Sequence, residues 1–163
     1  MNIDYIITGI SVICTGASIW GAWKSISYYK KSKNLTIYAN NNAAYIESQK
    51  IISRFGDLLK FATSRKNRGV NVQKEISQNG EAIKKSIDNI REKLSVKDFE
   101  DIEKILCTDK IDVEKYIDSI ITCTILQDNI FPVDENYYAA QKSFHEIHKM
   151  LKNKITQAEE SLV

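Results

Sequence analysis

Proline is almost missing from this chain. Pro132 is the only one in 163 residues, and no proline interrupts the backbone from Met1 to Phe131. Together with only six glycines, that scarcity argues against a turn-rich β fold and for long helices. No segment shows sustained two-residue alternation bounded by turn residues, so no sheet is expected. The three cysteines, Cys14, Cys107 and Cys123, are odd in number and fit no zinc or redox spacing. They read as reduced thiols behaving as small apolar side chains. Neither sign of charge dominates. The 23 Lys and Arg against 21 Asp and Glu leave a net charge of +2, which removes any global case for a nucleic-acid binder, and no DNA partner is expected. The patterns GxxxxGK, GxGxxG, GxSxG and HExxH are all absent, so nothing nominates a nucleophile, a cofactor or a metal.

What is present begins with a charge-free run from Tyr5 to Trp23, YIITGISVICTGASIWGAW. As a helix its 19 residues approach the roughly 30 Å of a bilayer core. Asp4 precedes the run, and Lys24, Lys30, Lys31 and Lys33 follow it. The lysines place the C-terminal side in the cytoplasm by the positive-inside rule. Trp20, Trp23, Tyr28 and Tyr29 resemble an interfacial belt. The expectation is a single-pass protein of a bacterial inner membrane, with the N-terminus outside. Residues 1–30 would form the transmembrane helix and anchor, and residues 31–163 a cytosolic domain. Gly9, Gly16, Ala17, Ser18, Gly21 and Ala22 put small residues at spacings that let helices approach closely, so self-association is expected there.

The rest of the chain reads as an antiparallel helical bundle. Tyr38, Tyr45, Ile52 and Leu59 recur every seven residues within a helical pattern from about Leu35 to Ala62, widened by Ile51, Phe55 and Leu58. Asn40, Asn41 and Asn42 interrupt it, as a polar face or as a break. Thr63–Gly69 reads as a loop. A helix follows from about Asn71 to Leu94, with apolar steps at Val72, Ile76, Ile83, Ile87, Ile90 and Leu94 and a gap filled by Gly80. Ser95 and Asp98 resemble a capping box before a helix through Val96, Phe99, Ile102 and Leu106. Asp112 caps another, and Asn129–Asp134 forms the last loop. A final helix from about Glu135 to Ser161 carries Tyr138, Gln141, Phe144, His148, Leu151, Ile155, Ala158 and Leu162 on one stripe.

Two groups of residues could carry chemistry. His145 and His148 are three apart and so neighbours on one helix. They are weak catalytic candidates; a half-buried, hydrogen-bonded histidine is the commoner outcome at such a position. Lys60, Arg65, Lys66, Arg68 and Lys74 form a run without an acidic residue. Arg65, Lys66 and Arg68 could meet RNA, a nucleotide or anionic lipid, although a solvated loop explains them equally. The acidic residues from Asp98 to Asp118 lack the glycine-centred spacing of a calcium loop and read as a solvated face.

A charge-free N-terminal helix followed by a small helical bundle resembles the small membrane accessory protein of type VI-B CRISPR systems. The resemblance lies in architecture, length and composition over the whole chain. It implies a divergent HEPN-like bundle, assembly into a membrane pore and a role in antiphage defence. HEPN ribonucleases place an Arg four to six residues before a His. Here Tyr138 to Ser143 contain no arginine, and Lys142 before His148 is the nearest substitute, without the guanidinium fork that positions a phosphodiester. No catalytic residue is carried over. The leading expectation is a membrane-anchored, self-associating, non-enzymatic effector with the lipid bilayer and a defence-system protein as partners. The alternative is a divergent RNA-cleaving or RNA-binding protein using His145 or His148.

Overall fold

Five helices run through the computed structural model, which describes residues 3–62, 71–128 and 130–160, with the side chains of the first helix from Thr15 onward. They are α1 (Ile3–Leu58), α2 (Val72–Lys93), α3 (Val96–Leu106), α4 (Val113–Ile121) and α5 (Glu135–Glu160), with a 3-10 turn at Leu59–Phe61 after α1. Two isolated bridges, Cys107 with Asp112 and Gln127 with Ile130, are the only β pairing among the described residues. The all-helical expectation holds. α1 has 56 residues and, at a rise of about 1.5 Å per residue, is roughly 84 Å long. It packs chiefly against α2 and α5; α4 closes against α2 and α5, and α3 lies across α5.

Side-chain caps fix where the shorter helices start. Asn71 accepts a hydrogen bond from the Lys74 N–H ahead of α2. Ser95 Oγ accepts from the Asp98 N–H and donates to the Asp98 carboxylate at 2.6 Å, which is the capping box read from the sequence. Asp112 accepts from the Lys115 N–H and Asp134 from the Tyr137 N–H. Each cap satisfies a helix-end N–H that has no intrahelical partner and contributes about 1 kcal/mol.

The core is a single cluster drawn from all five helices. Phe55 of α1 sits at its centre, with ring centroids 5.5 Å from Tyr137, 5.1 Å from Phe144 and 6.4 Å from Tyr116. The Tyr137 hydroxyl donates to the Phe55 carbonyl, and the Phe131 N–H donates to the Phe61 carbonyl. These contacts tie the end of α1 to the segment leading into α5. In α2 the expected stripe is observed: Ile76, Ile83, Ile87 and Ile90 are buried. Gly80 completes it for a steric reason. A Cβ there would lie 2.8 Å from Ile121 Cγ1 and 3.1 Å from Ile120 Cγ2, so α2 and α4 touch where a side chain is missing.

Two features correct the sequence reading. No helix among the described residues is long and apolar enough to cross a membrane. Between Thr15 and Trp23 the only strongly apolar aliphatic side chain is Ile19; the rest are glycine, alanine, serine, threonine and tryptophan, and Lys24 follows. The single-pass span, the inner-membrane placement with its outward N-terminus, and the pore built on them are withdrawn. The side chains before Thr15 lie outside the described residues. The second correction concerns α1 itself. It continues without a break through residue 30 and through Asn40, Asn41 and Asn42, and Asn41 faces inward, 6% exposed.

Two substitutions test this packing. Gly80→Ala overpacks the α2–α4 contact and should lower unfolding free energy by about 1–3 kcal/mol, despite alanine's better helix propensity. The Tyr116 hydroxyl is buried without a hydrogen-bond partner, and burial raises its pKa. Tyr116→Phe should therefore be neutral or stabilising, because it removes an unsatisfied polar atom that costs about 1–3 kcal/mol. Chemical denaturation of each variant reads both; a stabilised Gly80→Ala or a strongly destabilised Tyr116→Phe would refute the packing described.

Candidate functional site

His148 is built into the packing between α1 and α5. Its ring stacks on Tyr45 at a centroid distance of 4.4 Å and an interplanar angle of 23°. Its Nδ1 lies 2.9 Å from Ser48 Oγ, while the Ser48 hydroxyl donates to the Tyr45 carbonyl at 2.7 Å. A hydroxyl has one proton, so for both bonds to form the histidine must donate from Nδ1. Burial holds the pKa of His148 below its ordinary value of 6.5, and the charges of His145 and Lys152 push in the same direction. His145 is exposed, and its Nδ1 lies 2.8 Å from the Gln141 carbonyl one turn back, which makes that nitrogen a donor as well. Both rings are committed through Nδ1 to serine or backbone acceptors. Among the described residues neither ring is paired with a carboxylate, and Ser48 accepts from His148 instead of giving it a proton, the reverse of what an activated nucleophile requires. Lys142, the stand-in for a HEPN arginine, lies 3.8 Å from Glu146.

The remaining chemistry-bearing residues are dispersed. Among the described residues no group of three or more His, Cys, Asp or Glu could hold a metal ion. Cys107 is exposed at the end of α3. The Cys123 thiol donates to the Gln73 carbonyl, and burial raises its pKa. Much of the acidic run is ion-paired: Asp98 with Lys154, Asp101 with Lys104, Asp112 with Lys115, Glu114 with Arg91 and Asp118 with Lys84. Arg65, Lys66 and Arg68 lie outside the described residues. An open groove of about 900 Å³ between residues 108–111 and the start of α5 carries charges of both signs, Asp109, Lys110, Glu135, Lys142 and Glu146. It shows no convergence on one chemistry.

What is left without cover among the described residues is the stretch of α1 from Thr15 to Lys33. Every residue from Thr15 to Lys33 is exposed. Ile19, Trp20, Trp23, Ile26, Tyr28 and Tyr29 are each more than half exposed, and Trp20 and Trp23 meet edge to face at 6.2 Å. Cover from the bundle begins only near Asn34 and Tyr38, where the Tyr38 hydroxyl donates to Glu159 at the far end of α5. The apolar residues of the free half continue the core-facing line of the covered half. From Ile51 the line steps back through Ala44, Ile37, Ile26 and Ile19, at intervals of seven, seven, eleven and seven residues, all of which return to one helix face. Trp23 lies one turn from Ile19 on that face. Lys30 and Lys33 interrupt the line between Ile26 and Ile37.

The small residues singled out from the sequence lie on this half but do not share one face. Gly16 falls near the Ile19–Trp23 line. Ala17 and Gly21, four apart, fall on the opposite side of the helix at about 100° per residue. A Cβ placed on Gly16 or Gly21 would meet nothing within 4 Å, so neither glycine is required by contacts within the chain. The side of Gly9 lies outside the described residues. Sequence reasoning picked out the small residues and missed Ile19, Trp23 and Ile26 as one line, because it stopped the bundle pattern at Leu35. Tracing the Ile51 register backward was the signal that could have found them.

The His148 arrangement makes a pH prediction. A histidine whose folded pKa is depressed supports the fold above the unfolded value of about 6.5, and that support is lost as pH falls through the folded value. The carboxyls of Asp98, hydrogen-bonded to Lys154 and Ser95, and of Asp112, hydrogen-bonded to Lys115, are also held low, but they act below the ordinary carboxyl value of 3.8. Stability should therefore fall as pH drops below about 6.5, and His148→Phe, which keeps the ring stack, should flatten that slope. An unchanged slope in the variant would remove His148 as its source.

No family model, no curated protein and no solved structure matches this chain, so the functional reading rests on the geometry alone.

Proposed function

We propose that this chain is a non-enzymatic, self-associating helical protein. Its bundle serves as a folded base, and the free half of α1 joins one copy to another. The observation that carries the reading is the apolar line Ile19–Trp23–Ile26, which continues the core-facing register of α1 beyond the reach of its own bundle. Helix propensity adds a second reason. Isolated helices of this length are marginal in water and are normally supported by tertiary cover, and among the described residues every side chain between Thr15 and Lys33 is exposed.

Magnitudes set the expected strength. Burying an Ile or Trp side chain contributes about 1.5–3 kcal/mol. Ile19, Trp23, Ile26 and Ile37 from two copies therefore give on the order of 15 kcal/mol, against a cost of about 4–15 kcal/mol for association. That leaves between zero and about 11 kcal/mol; a mid-range surplus of about 5–8 kcal/mol corresponds to a dissociation constant between roughly one and a few hundred micromolar. The setting suggested by the resemblance, an effector in antiphage defence, stays within this proposal through chain length and all-helical build. The membrane pore does not. Gene neighbourhood checks the setting, since an adjacent CRISPR or other defence operon is what it requires.

Association is tested by light scattering across protein concentrations. The wild-type chain should rise from monomer toward a higher mass between about 1 and 500 μM. A variant with Ile19, Trp23 and Ile26 all changed to Ser should stay monomeric over that range with an unchanged melting transition. A wild-type chain that remains monomeric throughout, or a variant that associates equally well, defeats the proposal.

A further inference from the structure

The lysines of the free half raise a question that pairing between copies does not answer. Lys24, Lys30, Lys31 and Lys33 are all exposed, and no Asp or Glu occurs anywhere between Tyr5 and Ile46. Among the described residues no ion pair involves these four, although seven lysines and one arginine of the bundle are paired. A second copy brings the same four charges and no acidic residue in this part of its helix, so self-association concentrates the charge instead of neutralising it.

The arrangement along the helix axis is specific. From Thr15 to Trp23 there is no charge, and Trp20 and Trp23 close that stretch. Lys24 to Lys33 follow within about 14 Å at 1.5 Å per residue, with Tyr28 and Tyr29 among them. Around the axis, Lys24, Lys30, Lys31 and Lys33 fall within about 180° of one another, and Trp20 and Trp23 lie inside that same half at about 100° per residue. One face of the helix therefore carries both indole rings and all four cations. An anionic bilayer offers a partner to each: an apolar boundary that accepts indole rings and a headgroup layer that attracts lysine.

We propose that the face of α1 carrying Trp20, Trp23, Lys24, Lys30, Lys31 and Lys33 docks on the surface of an anionic phospholipid bilayer, its two tryptophans at the headgroup–acyl boundary and its four lysines among the phosphates. This is contact with one face of the bilayer and needs no helix that crosses it. Single-stranded RNA is the other polyanion with this charge preference. Its recognition depends on aromatics interleaved with cations along one groove, whereas here both tryptophans precede every lysine, and Tyr28 and Tyr29 lie outside the half of the helix that carries the lysines. Trp23 belongs both to this surface and to the Ile19–Ile26 line, so the test reads lipid, not mass.

Vesicle flotation of the full chain provides that test, with pure phosphatidylcholine compared against a 7:3 mixture of phosphatidylcholine and phosphatidylglycerol. Each lysine near such a surface strengthens binding about fivefold, so binding to the anionic vesicles should exceed binding to neutral ones by more than about a hundredfold. Changing Lys24, Lys30, Lys31 and Lys33 together to Gln should erase the difference. Raising salt from about 0.1 to 0.5 M should weaken it strongly, and Trp20→Ser with Trp23→Ser should lower binding to both vesicle types. All six residues are exposed, so the melting transition should not move. Equal flotation with both vesicles, no flotation with either, or a four-lysine variant that binds like the wild type would overturn the proposal. Release of the protein from anionic vesicles by oligouridylate at equal phosphate concentration would overturn it in favour of RNA.

Discussion

The continuity of α1 is the constraint on which the rest of the structure depends. Its second half is clamped at Phe55, where three aromatic rings from α4 and α5 meet one side chain and the Tyr137 hydroxyl reaches the Phe55 carbonyl. A helix is a stiff element with a fixed rise. Clamping one half therefore fixes the direction of the other. α5, with 26 residues, is about 39 Å long against roughly 84 Å for α1, and its last turns reach only as far as Tyr38 and Asn34. Among the described residues, nothing of the chain covers residues 15–33 of α1. The free half is a consequence of unequal helix lengths, and its exposed Trp and Ile side chains follow from that inequality.

The junction between the two halves is polar. Asp98 of α3 and Lys154 of α5 pair at 2.6 Å beside Asn34, Ile37 and Asn41 of α1, around a depression of about 210 Å³. A partly exposed pair of this kind adds little net stability, because screening and side-chain ordering offset the attraction. Its effect is on geometry. It fastens α3 to α5 at the level where α1 leaves the bundle. Farther down, Arg91 plays a similar part, pairing with Asp88 and Glu114 while its guanidinium lies 4.7 Å above the Phe99 ring.

Much of this was legible in the residues, and the misses have a common cause. Helix starts at Asn71, Ser95 and Asp112 were visible because capping side chains act locally. The α2 stripe was visible because Ile76, Gly80, Ile83, Ile87 and Ile90 face one large neighbour. In α1 and α5 the reading chose the wrong centre. Tyr45 and Ile52 are only half-buried and Leu59 is exposed, while Ala44, Ser48, Ile51, Phe55 and Leu58 form the buried line. In α5, Tyr137 is buried and Tyr138 is 60% exposed. A helix packed between two neighbours has a wide apolar arc, and periodicity alone does not say where its middle lies. The charge-free N-terminal run was read as a bilayer span from its lack of charge, although lack of charge is not the same as hydrophobicity in a stretch rich in Gly, Ser, Thr and Trp. The histidines were legible as neighbours on α5. That His148 donates from Nδ1 to Ser48 depends on Tyr45 and Ser48 of a distant segment, which no local pattern shows.

The claim that α1 is one helix with a clamped half and a half awaiting cover is tested most directly by amide hydrogen exchange resolved along α1. Exchange of the full-length chain should be measured in dilute and in concentrated solution. Residues 44–58 should be strongly protected at both concentrations, since they open only with the bundle. Residues 15–33 should exchange fast when dilute and slow markedly when concentrated, as copies cover the apolar line. Equal, concentration-independent protection over the whole of α1 would contradict the account, as would residues 15–33 exchanging at the unprotected rate under both conditions.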